Sequence, residues 1–170
     1  MTKVLFLDID EVLNSMDNMY AMTALWKKDR EHKSRDDFSH LFDERCVRWL
    51  DYIIRRTECK IVISSTWRRS GVERMKQMWE MRGLPGEVID ITPSYADKKI
   101  IEQHLCEGAD RGYEIQQWIE EHRPDRYCIV DDDSDMLPHQ PFVNTKGRIG
   151  LNYETAHEII NILNDETVEF

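Results

Sequence analysis

Lys3-Val4-Leu5-Phe6-Leu7-Asp8-Ile9-Asp10 decides the fold. Lys3–Leu7 is short, apolar and β-rich, and two carboxylates at i and i+2 cut it off. Such a run, bounded by polar residues, reads as a strand buried on both faces of a parallel sheet. The same pattern recurs downstream: Lys60–Ile63 runs into Ser64-Ser65-Thr66, and Tyr127–Val130 runs into Asp131-Asp132-Asp133. Glu87–Ile91 reads as a further strand, and a weaker one surrounds Phe142-Val143.

Helical stripes separate these strands. Phe42 to Arg56 puts Phe42, Cys46, Trp49, Leu50, Ile53 and Ile54 on one face, with Asp43 placed to cap its start. Trp67 to Arg82 reads as one helix stopped by Gly83, with Pro85 and Gly86 beyond. Gly112 to His122 turns Ile115, Trp118 and Ile119 inward, and Thr155 to Leu163 forms the last helix. Strands alternating with helices imply right-handed crossovers, so the fold class is α/β, a doubly wound, mostly parallel sheet. At 170 residues a single domain spanning 1–170 is expected. Residues 15–40 break the alternation. They are polar, with Met16, Met19, Tyr20, Met22 and Trp26 interleaved, and read as a small cap-like insertion after strand one, part helix and part flexible.

The chain carries 33 acidic and 23 basic side chains, a net charge of −10. That balance argues against a general polyanion binder, whose affinity comes from Lys and Arg, yet it permits a phosphorylated substrate at one local site. No apolar run is long enough for a signal segment or a membrane span. Cys46, Cys59, Cys106 and Cys128 are scattered and the six histidines lack ligand spacing, so neither a disulfide framework nor a zinc site is expected. Buried thiols and a cytoplasmic location, with no membrane partner, are the expectation.

Ligands of open α/β sheets sit beyond the carboxyl ends of the strands. Asp8 and Asp10, Ser64 and Ser65, and Asp131 to Asp133 all fall there. Crowded carboxylates repel unless they share a cation, and an all-oxygen set suits Mg²⁺. Hydroxyls and free helix-start amides from Ser64 to Trp67 suit a phosphate. Taken singly, each piece has a plainer reading as a turn, an N-cap or a solvated loop. Together they are the equipment for phosphoryl transfer through an aspartyl-phosphate.

Val4-Leu5-Phe6-Leu7-Asp8-Ile9-Asp10-Glu11-Val12-Leu13-Asn14 resembles the first motif of the haloacid dehalogenase (HAD) superfamily. Ile61–Ser64 is similar to its second motif, and Ile129–Asp132 to its acidic fourth. More narrowly, Ser64-Ser65-Thr66-Trp67-Arg68, Arg111-Gly112 with Glu114-Ile115 and Trp118-Ile119, Asp131–Asp133 and Gly150-Leu151 resemble a small-domain subgroup associated with RNA-repair-like proteins. Related phosphatase domains occur in polynucleotide kinase–phosphatases. The resemblance implies a phosphatase in which Asp8 is the nucleophile and Asp10 the general acid/base. It implies Mg²⁺ held by Asp8, the Asp10 carbonyl and Asp132, with Asp131 or Asp133 in support, and Ser64 on the phosphoryl oxygens. Ser65 and Arg68 are expected to bind substrate.

Arg111 stands where the superfamily's third-motif base belongs, in preference to Lys98 or Lys99, and a guanidinium can clamp phosphate. Glu11 departs from the pattern, since a Gly usually follows the second Asp. The acid at position 10 favours a phosphatase over a dehalogenase, whose halide leaving group needs no proton. The substrate is expected to be a small phosphomonoester, or alternatively a nucleotide or the phosphorylated end of a nucleic acid. Lys27, Lys28, Arg30, Lys33 and Arg35 give the insertion a local positive excess beside Trp26 that could grip such an end. A plainer reading is a solvated helix face with Trp26 packed inward. A rival of another class, a receiver-like phospho-acceptor, would need its acceptor Asp on a later strand, where this chain has Ser64.

Overall fold

β1 (Lys3–Leu7) lies at the centre of a five-stranded parallel sheet. It pairs on one edge with β4 (Lys60–Ile63) and on the other with β6 (Arg126–Asp131), Leu7 standing opposite Ile63 and Val130. β5 (Val88–Ile91) flanks β4 and β7 (Phe142–Asn144) flanks β6, giving the order β5-β4-β1-β6-β7. The computed structural model describes residues 1–94 and 110–165. Lys98, Lys99 and Cys106 lie outside the described residues.

Alternation along β1 sorts the core into two layers. Leu5 and Leu7 face α2 (Glu44–Thr57), α3 (Val72–Met81) and α5 (Tyr153–Asn164), joining Leu50, Ile53, Met78 and Ile159. Val4 and Phe6 face the other way and pack with Ile115 and Trp118 of α4 (Asp110–His122). The Phe6 and Trp118 rings meet edge to face at 5.3 Å. Truncating Phe6 to Ala would cost about 3–5 kcal/mol, since a full core layer loses its central ring. The sheet is therefore α/β with helices on both faces, as the alternation of patterns requires. Among the described residues no helix is long and apolar enough to cross a membrane. Cys46, Cys59 and Cys128 are buried and free, and burial pushes the Cys46 thiol up to about 12.

One expectation is corrected. The helix read as Trp67 to Arg82 is broken: Thr66–Ser70 is a 3-10 turn, and α3 starts only at Val72. Gly71 sits between them at φ 88, a left-handed value that ends the turn and re-aims the chain. Residues 15–40 hold α1 (Met16–Lys28), capped by Ser15, and then a hairpin, β2 (Arg35–Asp36) against β3 (Ser39–His40). The hairpin docks on α3 through Arg82, which donates to both Asp36 carboxylate oxygens at 2.8 and 2.7 Å. Arg74 adds a guanidinium 3.9 Å from the centre of the Phe38 ring.

Candidate active site

The carboxyl ends of β1, β4 and β6 converge on one patch. The Asp8 N–H continues the ladder, donating to the Val130 carbonyl at 3.1 Å, and the Ser64 N–H donates to Leu7 at 3.0 Å. These bonds fix the neighbouring strand ends in register, so that Asp8 and Ser64 leave the sheet side by side. The carboxylates of Asp8, Asp131 and Asp132 present ligand atoms within 4.8 Å of one another. Asp8 is 6% exposed and Asp131 2%.

Such crowding has an electrostatic signature. Burial, with the nearby Asp132, raises the Asp8 carboxyl from 3.8 to about 6, against the pull of Arg111 and of the Ser65 hydroxyl that hydrogen-bonds it. Burial and the Asp8 charge raise Asp131 to about 8. Three polar atoms around these carboxylates are buried without a hydrogen-bond partner: Ser64 Oγ, Arg111 Nη1 and Asp131 Oδ2. Leaving such groups unmet costs roughly 1–3 kcal/mol apiece, which a ligand meeting all three would offset. The donor set is oxygen only and anionic, and an orphaned carboxylate oxygen lies within it, so the residues fit Mg²⁺.

Arg111 owes its place to the start of α4. The Arg111 and Gly112 N–H groups donate to Asp135 at 3.2 and 2.9 Å, and Gln140 Nε2 donates to the Gly112 carbonyl at 2.9 Å. A Cβ at Gly112 would lie 2.5 Å from the Leu137 backbone nitrogen, so only glycine lets helix and loop approach this closely. The contact delivers the Arg111 guanidinium to 3.9 Å from Asp131.

The turn after β1 folds back on itself. The N–H groups of Val12, Leu13 and Asn14 all donate to the Ile9 carbonyl, at 2.9–3.3 Å. Glu11 adopts φ 60 there, the left-handed region in which glycine is at ease, and so explains why Gly is the usual residue. Its carboxyl meets that of Asp132, and burial together with that neighbour raises it above the ordinary range. Thr145, just past β7, donates its hydroxyl to the Glu11 carbonyl at 3.0 Å and its N–H to the Asp131 carbonyl at 3.1 Å, tying the two acidic loops together.

Of the residues singled out from sequence, Asp8, Asp131, Asp132, Ser64 and Arg111 come together. Asp10 stands beside them, its Oδ2 accepting from Trp67 Nε1 at 2.9 Å. Ser65 accepts from the Trp67 N–H at 3.3 Å and hydrogen-bonds Asp8, so it orients the nucleophile candidate and caps the 3-10 turn. Arg68 lies elsewhere. Its guanidinium is buried in an ion pair with Glu114 and donates to the Ser64 and Ser65 carbonyls, both at 2.9 Å. Trp26 is half-buried, with Arg30 and Arg35 of its own insertion 5.5 and 5.4 Å from its ring centre. Sequence reasoning missed the roles of Trp67, Glu114 and Thr145. Trp67 and Glu114 stand inside the motifs quoted above, but their partners lie 57 and 46 residues away, and the Glu11 carbonyl that Thr145 meets lies 134 away.

A parallel sheet whose central strand ends in Asp-x-Asp, flanked by Ser64 and by the acidic end of β6, defines a HAD-superfamily domain, a class of phosphatase-type hydrolases. Within it, the chain belongs to the family described as the HAD domain in Swiss Army Knife RNA repair proteins, whose model matches residues 4–156. No curated protein and no solved structure matches the chain.

Proposed function

We propose that this domain is a Mg²⁺-dependent phosphomonoester hydrolase working through an aspartyl-phosphate on Asp8. The observation that carries the reading is the knot of unmet polar atoms around Asp8, with the carboxylates of Asp131 and Asp132 on one side and the donors Ser64 Oγ and Arg111 Nη1 on the other.

With a carboxyl near 6, Asp8 is mostly ionised at neutral pH and able to attack phosphorus. As the new acyl-phosphate bond forms, the ester P–O bond breaks, and Asp10 gives its proton to the departing oxygen. Trp67 Nε1 holds the Asp10 carboxyl in place for that transfer. In the second half, Asp10 takes a proton from water, the water oxygen bonds to phosphorus, and the Asp8–phosphorus bond breaks. Inorganic phosphate leaves and both carboxyls return to their starting states. Ser64 and Arg111 donate to the phosphoryl oxygens, where charge is spread in the transition state. Mg²⁺, held by Asp8, Asp132 and Asp131 with the Asp10 carbonyl, would offset the repulsion between the carboxylates and the incoming phosphate.

The family description favours a nucleic-acid end or nucleotide as the substrate class. The deciding experiment measures phosphate release from 4-nitrophenyl phosphate and from 3′- and 5′-phosphorylated oligonucleotides, with Mg²⁺ and with EDTA. Asp8→Asn is expected to lower turnover by ~10⁴-fold or more while the fold is retained. Near-normal activity of that variant would overturn the covalent mechanism, and undiminished activity in EDTA would overturn the metal.

A further inference from the structure

One groove lies away from the carboxylates. It has a volume of about 710 Å³ between α2 and α5 and is lined by Arg45, Arg48, Trp49, Tyr52, Tyr153 and His157. Four of these six side chains are aromatic and two are guanidinium groups, so a groove on a chain of net charge −10 has no carboxylate in its lining. Trp49 is the hub: Tyr52 and Tyr153 each stand nearly perpendicular to it, at centroid distances of 5.8 Å. His157 lies 4.1 Å from Tyr153. Tyr153 is 62% exposed, an unusual fate for so large a ring. The Arg48 side chain is 79% exposed, and among the described residues its one ion pair is with Glu44 at 3.7 Å.

The groove begins at the catalytic end of the sheet. Asp43, the cap of α2, donates its N–H to Leu13, and Leu151, two residues before α5, donates its N–H to Val12 at 2.9 Å. Both helix starts are thus tied to the turn that carries Asp8 and Asp10. Arg45 and Tyr153 lie in the first turn of their helices, and Tyr52 and His157 lie further down. Lys146 and Arg148, both exposed, stand in the loop that leads from Asp131 and Thr145 to α5.

We propose that this groove binds unpaired nucleotides of a single strand whose end occupies the Asp8 site. Bases stack on the exposed ring of Tyr153, and Arg48 pairs with a backbone phosphate. Stacking on aromatic rings is sequence-tolerant and needs unpaired bases, so the groove selects single strands over duplexes. An apolar peptide groove would not need guanidinium groups at its rim, and a purely electrostatic site would not need four rings. The inference rests on the phosphatase reading for its substrate class, though the groove can be tested without turnover.

The test is fluorescence anisotropy of the whole protein in EDTA with a 5′-fluorescein single-stranded RNA 12-mer that ends in a 3′-hydroxyl. Arg48→Ala/Tyr153→Ala is expected to weaken binding by ~10-fold or more. A blunt duplex of the same sequence is expected to bind at least ~10-fold more weakly than the single strand. Arg48→Ala alone should make the plot of log affinity against log salt shallower by about 0.7, the share of one single-strand phosphate contact. Hydrolysis of 4-nitrophenyl phosphate should be unchanged in these variants, and thermal melts check that they fold. If the double variant does not fold, the exposed-site change Arg48→Glu replaces it. No binding by the wild type, equal binding of the variant, equal binding of the duplex, or competition by poly-glutamate as strong as by poly-uridylate would each overturn the proposal. Intact RNA binding without hydrolysis of any phosphomonoester would overturn the phosphatase reading and leave the groove standing.

Discussion

The carboxyl ends of β4 and β6 flank the same central strand, and near each an arginine stands beside an acid, Arg68 by Glu114 and Arg111 of α4 by Asp131, but the two pairs close to different extents. Beside β4, both terminal nitrogens of Arg68 are engaged, pairing with Glu114 and donating to the carbonyls of Ser64, Ser65 and, at 3.4 Å, Pro93, and only its Nε lacks a hydrogen bond among the described residues. Beyond β6, Arg111 stops 3.9 Å short of Asp131, and the nearest oxygen and one guanidinium nitrogen both lack a hydrogen bond. A matched buried pair is a brace. An unmatched one is kept that way at a cost, which the proposed mechanism offsets when a phosphate and a cation bind.

This contrast can be broken or sharpened by substitution. The largest effect is expected at the brace: Arg68→Ala takes the guanidinium away from the buried Glu114 carboxylate and should lower unfolding stability by about 3–5 kcal/mol, read from urea denaturation. Arg111→Ala should do the converse. Its melting temperature should hold near the wild type while kcat/KM falls ~30- to 1,000-fold, the range for about 2–4 kcal/mol of lost transition-state charge stabilisation. If both variants lost mainly stability, Arg111 would be a second brace and the third-motif assignment would fail.

A smaller effect is expected from relieving the carboxylates themselves. Unfolded Asp8 and Asp131 release their protons near 3.8, whereas in the fold they do so near 6 and near 8. The folded chain therefore binds more protons between those values, and metal-free stability should fall as pH rises from about 4 to about 8. Asp131→Asn removes one charge from the knot and should raise the metal-free melting temperature at pH 8 by several degrees, at roughly 2–4 °C per kcal/mol. At pH 4 the gain should vanish. Mg²⁺ should stabilise the wild type at pH 8 and the variant much less. A gain that is independent of pH would mean that charge is not its cause.

Smallest of all, Glu11→Gly should relax the left-handed turn and remove an acid facing Asp132. The greater freedom of glycine in the unfolded chain offsets part of this, so a net gain of about 1 kcal/mol or less is expected in thermal melts.

Much of this was legible in the residues. The apolar runs at Val4–Leu7, Lys60–Ile63 and Tyr127–Val130 are self-declaring because a strand buried on both faces tolerates little else. Their polar endings, Asp8, Ser64 and Asp131, are the residues that the sheet brings together. What stayed hidden depends on contacts across the chain. Arg68 reads as a free cation until Glu114, 46 residues away, is folded against it. Trp67 reads as helix core until its indole N–H is found on Asp10, 57 residues upstream. The hairpin at 35–40 involves only two residues per strand, too few for an alternation to register, and it is held by Arg74 and Arg82 from α3. Gly71 lies inside the run read as one helix, and only its φ of 88 shows that the chain changes direction there.

The placement of β1 also sets a timetable for synthesis. Its first partner, β4, is complete at Ile63, but its second, β6, is complete only at Asp131. At about 5–20 residues per second, roughly 3–14 s separate the two on the ribosome. Through that interval an apolar strand, Val4–Leu7, keeps one edge of N–H and C=O groups unpaired, the kind of edge that recruits other chains. The acids that crowd the finished site meet only when that edge is closed, so the nascent chain spends those seconds sticky but electrostatically unstrained.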